Sequence, residues 1–312
     1  MTIVFLLYLC MASTFTIGKL ALAYVHPFFL IATRMLSAGF LLLGVQYWYT
    51  RRFHIPYAHW GLFLQLALFH IYCAFMPEFW ALQYLSGAQA CLIYSLSPFV
   101  TAVLSYYLFG KGLTRMQLYG LLIGFLGFVP MLYGQQNQVN YFLSLPQAAL
   151  VVSVCSASYG WLLLRKISVD LGYALTFANG VAMLLGGFFA AMTTALIPGG
   201  FTISPMYASS SVLGTWLIAT VGPFTAGLYM FLGYTAALIL VANMLFYNVY
   251  GYLLSRFSAT FLSFAGFTTP LFAAFFDWLF WGTIPPLTFF ATFCMVGIGL
   301  YVFYKDELVS IK

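Results

Sequence analysis

Five ionisable side chains sit inside runs that are otherwise apolar: Lys19, Arg34, His70, Glu78 and Asp277. Lys19 and Arg34 fall within "TIGKLALAYVHPFFLIATRM", residues 16 to 35, and a charge at a bilayer centre costs at least about 2.5 kcal/mol on insertion scales. Such groups neutralise one another, reach along their stems to the membrane surface, or meet a polar ligand. Arg34 suits a carboxylate, because its planar fork makes two parallel hydrogen bonds where a lysine offers a point charge. Glu78 is the matching partner for an ammonium or sulfonium group. His70, eight positions before Glu78 and on roughly the same helical face, is a candidate proton relay. Lys19 and Asp277 complete a set of two cations and two carboxylates, read either as substrate-binding residues or as a structural ion-pair cluster.

Uncharged groups extend this list. Asn243 is a candidate substrate partner, and Asn179, Asn248, Gln83 and Gln89 are expected to face a cavity or another helix. Aromatic residues make up 21% of the chain, and many lie in the middle of apolar runs rather than at their ends. Tyr94 and Tyr247 are the two chosen as binding candidates, since aromatic walls stack planar rings and hold cations by about 0.5 to 2 kcal/mol. The chain carries no Gly-x-Ser-x-Gly, no histidine pair at metal spacing and no phosphate-binding glycine loop. The five cysteines have no metal-ligand spacing and read as small buried hydrophobes. No cofactor and no enzymatic activity are expected.

These residues must be held by membrane helices. Of 312 residues, 64% are hydrophobic and 5% charged, with a mean hydropathy of +1.00. That balance excludes a water-soluble domain. The formal charge of +6 does not point to nucleic acid, because the cations are scattered singly or in pairs between apolar runs. The N-terminal stretch has no positive leader region or clear cleavage site, and reads as the first membrane helix.

A span needs about 20 apolar residues. Cutting at polar, Pro and Gly punctuation gives ten, at roughly 3–24, 27–49, 59–83, 87–109, 116–134, 146–165, 171–197, 234–255, 258–281 and 286–304. Residues 211–232 form an extra hydrophobic segment. The positive-inside rule favours ten crossings over eleven. With both termini cytoplasmic, Arg51, Arg52, Lys111, Arg115, Arg165, Lys166, Arg256, Lys305 and Lys312 all lie inside, and the outer connections carry no Lys or Arg. The segment at 211–232 is then a re-entrant element broken near Gly222-Pro223, or an extension of the eighth helix. Lys19, Arg34, Glu78 and Asp277 fall four to seven residues from the outer helix ends, about 6 to 10 Å deep at 1.5 Å per residue.

Setting Pro98 on Pro270 aligns "YLSGAQACLIYSLSPFVTAVLSYYLFG" with "RFSATFLSFAGFTTPLFAAFFDWLFWG", and Lys19 on Lys166 aligns a second pair of stretches. Two copies of five helices are necessarily inverted in the bilayer. The repeats are bounded at 1–134 and 146–304, with a tail at 305–312. Pro98 and Pro270, near mid-helix, are expected to kink their helices. Gly120-xxx-Gly124 permits close helix contact, inside the chain or in a homodimer.

The stretches "MASTFTIGKLALAYVHP", "FFLIATRMLSAGFLLLG" and "ALQYLSGAQACLIYSLSPFVTAVLSYYLFGKGLTRMQLYGLLIGFLGFVPML", with the counterpart over 254–304, resemble the EamA family of the drug/metabolite transporter superfamily. The resemblance implies an all-α membrane protein of ten helices, two five-helix halves and a central substrate cavity. It departs from the family at Lys111 and Thr283, where an acid usually follows the glycine. A bacterial inner membrane location follows, with lipid and a small-molecule substrate as partners. A ligand matching the charges and aromatic walls is a zwitterionic metabolite with a planar or cationic part. S-adenosylmethionine exchanged for S-adenosylhomocysteine has that chemistry, and some carriers of this family are devoted to it. The alternatives are a proton-driven amino-acid or drug exporter, and a membrane scaffold or membrane enzyme.

Overall fold

The computed structural model describes residues 2–50, 54–109, 114–127, 144–203, 219–220, 222–254 and 266–310. They form helices and no strand; an isolated bridge pairs Val25 with Ile203. Helices α1 (Thr2–Leu22) and α2 (Pro27–Thr50) are joined by a short connection. The third helix, α3, runs over Tyr57–Ala81 and widens to a π-helix at Leu66–Tyr72. The fourth, α4, is in two pieces, Gly87–Tyr94 and Ser97–Phe109. Then come α5 (Arg115–Gly127), α6 (Leu145–Arg165, with a π turn at Lys166–Asp170) and α7 (Leu175–Leu196). The eighth, α8, comprises Pro223–Leu238, a π segment Ile239–Phe246 and Tyr247–Leu254. It is followed by α9 (Thr269–Trp281) and α10 (Leu287–Ser310).

Eight of these are long and apolar enough to cross a bilayer, against the ten expected. The described parts of α5 and α9 have 13 residues each, too short to qualify, and both adjoin residues outside the description. The first part of the extra segment, 211–218, also lies outside it. Its second part belongs to α8, which starts at Pro223 rather than near 234. Gly222, at φ 86°, supplies the left-handed turn that lets Pro223 open the helix, where its missing N–H is no loss.

Both marked prolines sit in the first turn of a restarted helix rather than in a helix interior. Pro98 follows the Ser95–Leu96 break, and Pro270 follows the turn at 267–268. Among the described residues the proline inside a helix is Pro77, in Cys73–Ala81, directly before Glu78.

Lipid tails are as apolar as leucine, so close packing rather than water exclusion holds the helices together. Glycines set the closest approaches. A Cβ on Gly39 of α2 would lie 2.8 Å from the Leu184 backbone nitrogen of α7, and one on Gly120 of α5 would lie 2.5 Å from the Phe303 nitrogen of α10. The Gly120-xxx-Gly124 face is therefore filled within the same chain, by α10 and by Phe99 of α4. In further contacts α3 packs on α6 and α7, α8 on α1 and α2, α4 on α6 and α9, and α9 on α1.

Candidate substrate-binding site

Arg34 is carried by α2 and is 2% exposed. Its Nε donates to Asn243 Oδ1 at 3.0 Å, and the guanidinium lies over the rings of Phe75 and Phe79 at 5.1 and 5.6 Å. Asn243 lies in the π segment of α8, fully buried, with its Nδ2 on the sulfurs of Met183 and Met35 at 3.4 and 3.8 Å. A π turn inserts one residue and re-aims the helix face, and such turns concentrate at functional sites. Here it turns Asn243 towards Arg34.

Glu78 is buried on α3. Its Oε2 is 2.7 Å from the Tyr94 hydroxyl of α4, which is 2.6 Å from Ser153 Oγ of α6. Ser153 Oγ in turn donates to the Ala74 carbonyl at 2.5 Å. Four oxygens from α3, α4 and α6 thus form one chain.

An aromatic wall lies beside these groups. Trp161 of α6 stacks on Tyr247 of α8 at 5.4 Å and 25°. His70 meets the edge of that wall, 4.7 Å from Trp161 and 6.1 Å from Tyr247. It belongs to the π segment of α3, is 2% exposed, and neither ring nitrogen has a hydrogen-bond partner among the described residues. Gly160 makes room for it: a Cβ there would lie 2.5 Å from His70 Cα.

Lys19 and Asp277 gather elsewhere. Lys19 donates to the Leu85 carbonyl at 3.2 Å and lies 5.2 Å from the Trp281 ring centre. Asp277 accepts from the Ala88 N–H at 2.8 Å, at the N-terminus of the first piece of α4, where backbone donors favour a carboxylate. Ser86 and Gln89 cap the same helix end. A cavity of about 150 Å³ opens beside them, lined by Asp277, Ser86, Gln89, Thr283, Pro286 and Phe289 among others.

The candidate residues therefore separate into two clusters. Arg34, Glu78, Tyr94, Asn243, Tyr247 and His70 come together; Lys19 and Asp277 form the second group. The expected balance of two cations against two carboxylates takes the form of two longer-range pairs, Lys19 with Asp277 and Arg34 with Glu78. Among the described residues the direct contacts of the two cations are neutral oxygens and ring faces. Ser153, Trp161 and Pro77 join the first cluster without a distinguishing sequence signal, beyond the Ser-rich "VVSVCSAS" and a proline preceding an acid.

A bundle of apolar helices around buried charges of both signs has the character of a membrane carrier. Residues 1–133 match the EamA-like transporter family. The chain is 32% identical over 302 residues to the S-adenosylmethionine/S-adenosylhomocysteine transporter of Chlamydia muridarum (strain MoPn / Nigg), covering 95% of this chain and 88% of that one. The protein of the same name from Chlamydia trachomatis serovar L2 is also 32% identical, covering 95% and 86%. An uncharacterized transporter, YyaM, of Bacillus subtilis (strain 168) is 25% identical over 69% of each chain. One solved crystal structure superposes on 99% of this chain and 96% of its own with a TM-score of 0.55 at 14% identity, a likeness of fold alone. This chain belongs to the EamA-like transporter family.

Proposed function

We propose that the protein exchanges S-adenosylmethionine for S-adenosylhomocysteine across a bacterial inner membrane by alternating access. The observation that carries the reading is the pair Arg34 and Glu78, both buried and of opposite charge, whose direct hydrogen-bond partners are Asn243 and Tyr94. Arg34 has one hydrogen bond among the described residues, through Nε, which leaves the outer edge of its fork for a ligand carboxylate. Glu78 is the partner of a positive group, and the Trp161–Tyr247 wall suits a planar base. The names of the two chlamydial relatives, similar over nearly the whole chain, support the substrate.

Ten crossings in two inverted halves, 1–134 and 146–304, underlie the mechanism, with both termini in the cytoplasm and lipid around the bundle. Three observations support that architecture. Pairs α2–α7, α4–α9 and α5–α10 join equivalent helices of the two halves. The contacts of α3 with α6 and α7 are repeated by α8 with α1 and α2. Finally, Pro98 and Pro270 are 172 residues apart (270 − 98), and moving the π segment 66–72 by 172 gives 238–244, which overlaps Ile239–Phe246. Two halves with the same widened helix flank the site, and rocking one against the other would open it to each side in turn.

The test is counterflow. Vesicles reconstituted with the pure protein and filled with unlabelled S-adenosylhomocysteine take up labelled S-adenosylmethionine, whereas vesicles filled with ornithine do not. Equal uptake with both fillings refutes the exchange.

A further inference from the structure

The four-oxygen chain has fewer protons than contacts if Glu78 is ionised. Its contacts, Glu78–Tyr94, Tyr94–Ser153 and Ser153–Ala74, measure 2.7, 2.6 and 2.5 Å, and each requires one proton between its oxygens. The Ala74 carbonyl only accepts, so it takes the single proton of Ser153. Tyr94 then has one proton and two neighbours. With an ionised carboxylate, one contact sets lone pair against lone pair in a buried site, at the cost of an unmade hydrogen bond. A proton on Glu78 fills all three: Glu78 donates to Tyr94, Tyr94 to Ser153, and Ser153 to Ala74. The charged and titratable groups around Glu78 are Arg34 on α2, Cys91 and Tyr94 on α4, and Tyr247 on α8. Arg34, whose charge is the opposing influence on Glu78, has its direct contacts with Asn243 and two rings.

We infer that Glu78 holds a proton while the site is empty and gives it up when a cationic ligand binds, so that one S-adenosylmethionine exchanges for one S-adenosylhomocysteine plus one proton. The second half of this inference rests on the exchange reading; the first does not. The sulfonium gives S-adenosylmethionine a net charge of +1, and S-adenosylhomocysteine, a thioether, has none. Bringing a fixed positive charge beside the carboxyl favours its ionised form. The O–H bond of Glu78 breaks, the electron pair stays on the carboxylate, and the proton leaves to water in the open pathway. On the return leg the neutral thioether permits Glu78 to take a proton from the other side. One positive charge then crosses each way, and the exchange is electroneutral.

Infrared difference spectra of the ligand-free protein test the first half. A protonated-carboxyl stretch, shifted in heavy water, is expected in the wild type and absent in Glu78→Gln. Ser153→Ala frees the Tyr94 proton for Glu78, so the band should weaken although the carboxyl is intact. A resting wild type without that band, or a band unchanged in Glu78→Gln, overturns the inference. Titration in weakly buffered solution tests the second half: S-adenosylmethionine should release about one proton per protein, and S-adenosylhomocysteine none. Binding without release overturns the coupling. If S-adenosylmethionine fails to bind while the band is present, the exchange reading and the coupling fall together and the protonated Glu78 stands.

Discussion

Replacing Arg34 by lysine keeps the charge and removes the fork, which makes it a sensitive test of what that buried cation does. If the guanidinium holds a substrate carboxylate by two N–H groups, lysine retains one contact and loses the other. A hydrogen bond to a charged group is worth about 1.5 to 3 kcal/mol. At about 1.4 kcal/mol per tenfold, affinity falls by about 10- to 150-fold. The rings of Phe75 and Phe79, at 5.1 and 5.6 Å from the guanidinium carbon, still offer an ammonium cation–π partners, so the protein should remain folded. The assay is inhibition of counterflow in reconstituted vesicles by S-adenosylmethionine and by its decarboxylated analogue, in wild type and Arg34→Lys. The variant should lose affinity for the first ligand and change less than about threefold for the second, because there is no carboxylate left to lose. An equal loss for both ligands refutes carboxylate recognition and makes Arg34 a structural cation of the bundle.

Two further outcomes follow from the packing and the charge pattern. Gly120→Ala places a Cβ against the backbone of α10 and should destabilise the detergent-solubilised protein by about 1 to 3 kcal/mol. Gly44→Ala, with nothing within 4 Å, should be neutral or slightly stabilising; thermal unfolding compares the two. A reporter active only in the cytoplasm should be active after Lys312 and silent near Gln138. The reverse pattern at Lys312 overturns the ten-crossing topology.

Much of the scaffold is determined by the sequence alone, because a bilayer imposes a local condition. Every buried N–H and C=O must be satisfied within its own segment, so a sufficiently long apolar run is a helix whatever its neighbours are. Hence α1, α2 and α7 lie where the hydropathy sets them, and Gly222-Pro223 marks a break wherever it stands. Buried charge is similarly legible: Arg34, Glu78 and Asp277 are conspicuous by cost alone and prove to be buried. Which groups meet is another matter. Arg34 and Asn243 are 209 positions apart, and Tyr94 and Ser153 are 59 apart. Their contacts depend on which helix faces are turned together by glycine approaches and π turns, and no local pattern specifies that. The tertiary structure alone separates Lys19 and Asp277 from the Arg34 cluster, leaves both nitrogens of His70 without a described partner, and draws an ordinary serine, Ser153, into the chain that ends on Glu78. The physical reason is that apolar burial is additive along the sequence, whereas a hydrogen bond needs two particular groups within about 3 Å, and only the packed helices decide that distance.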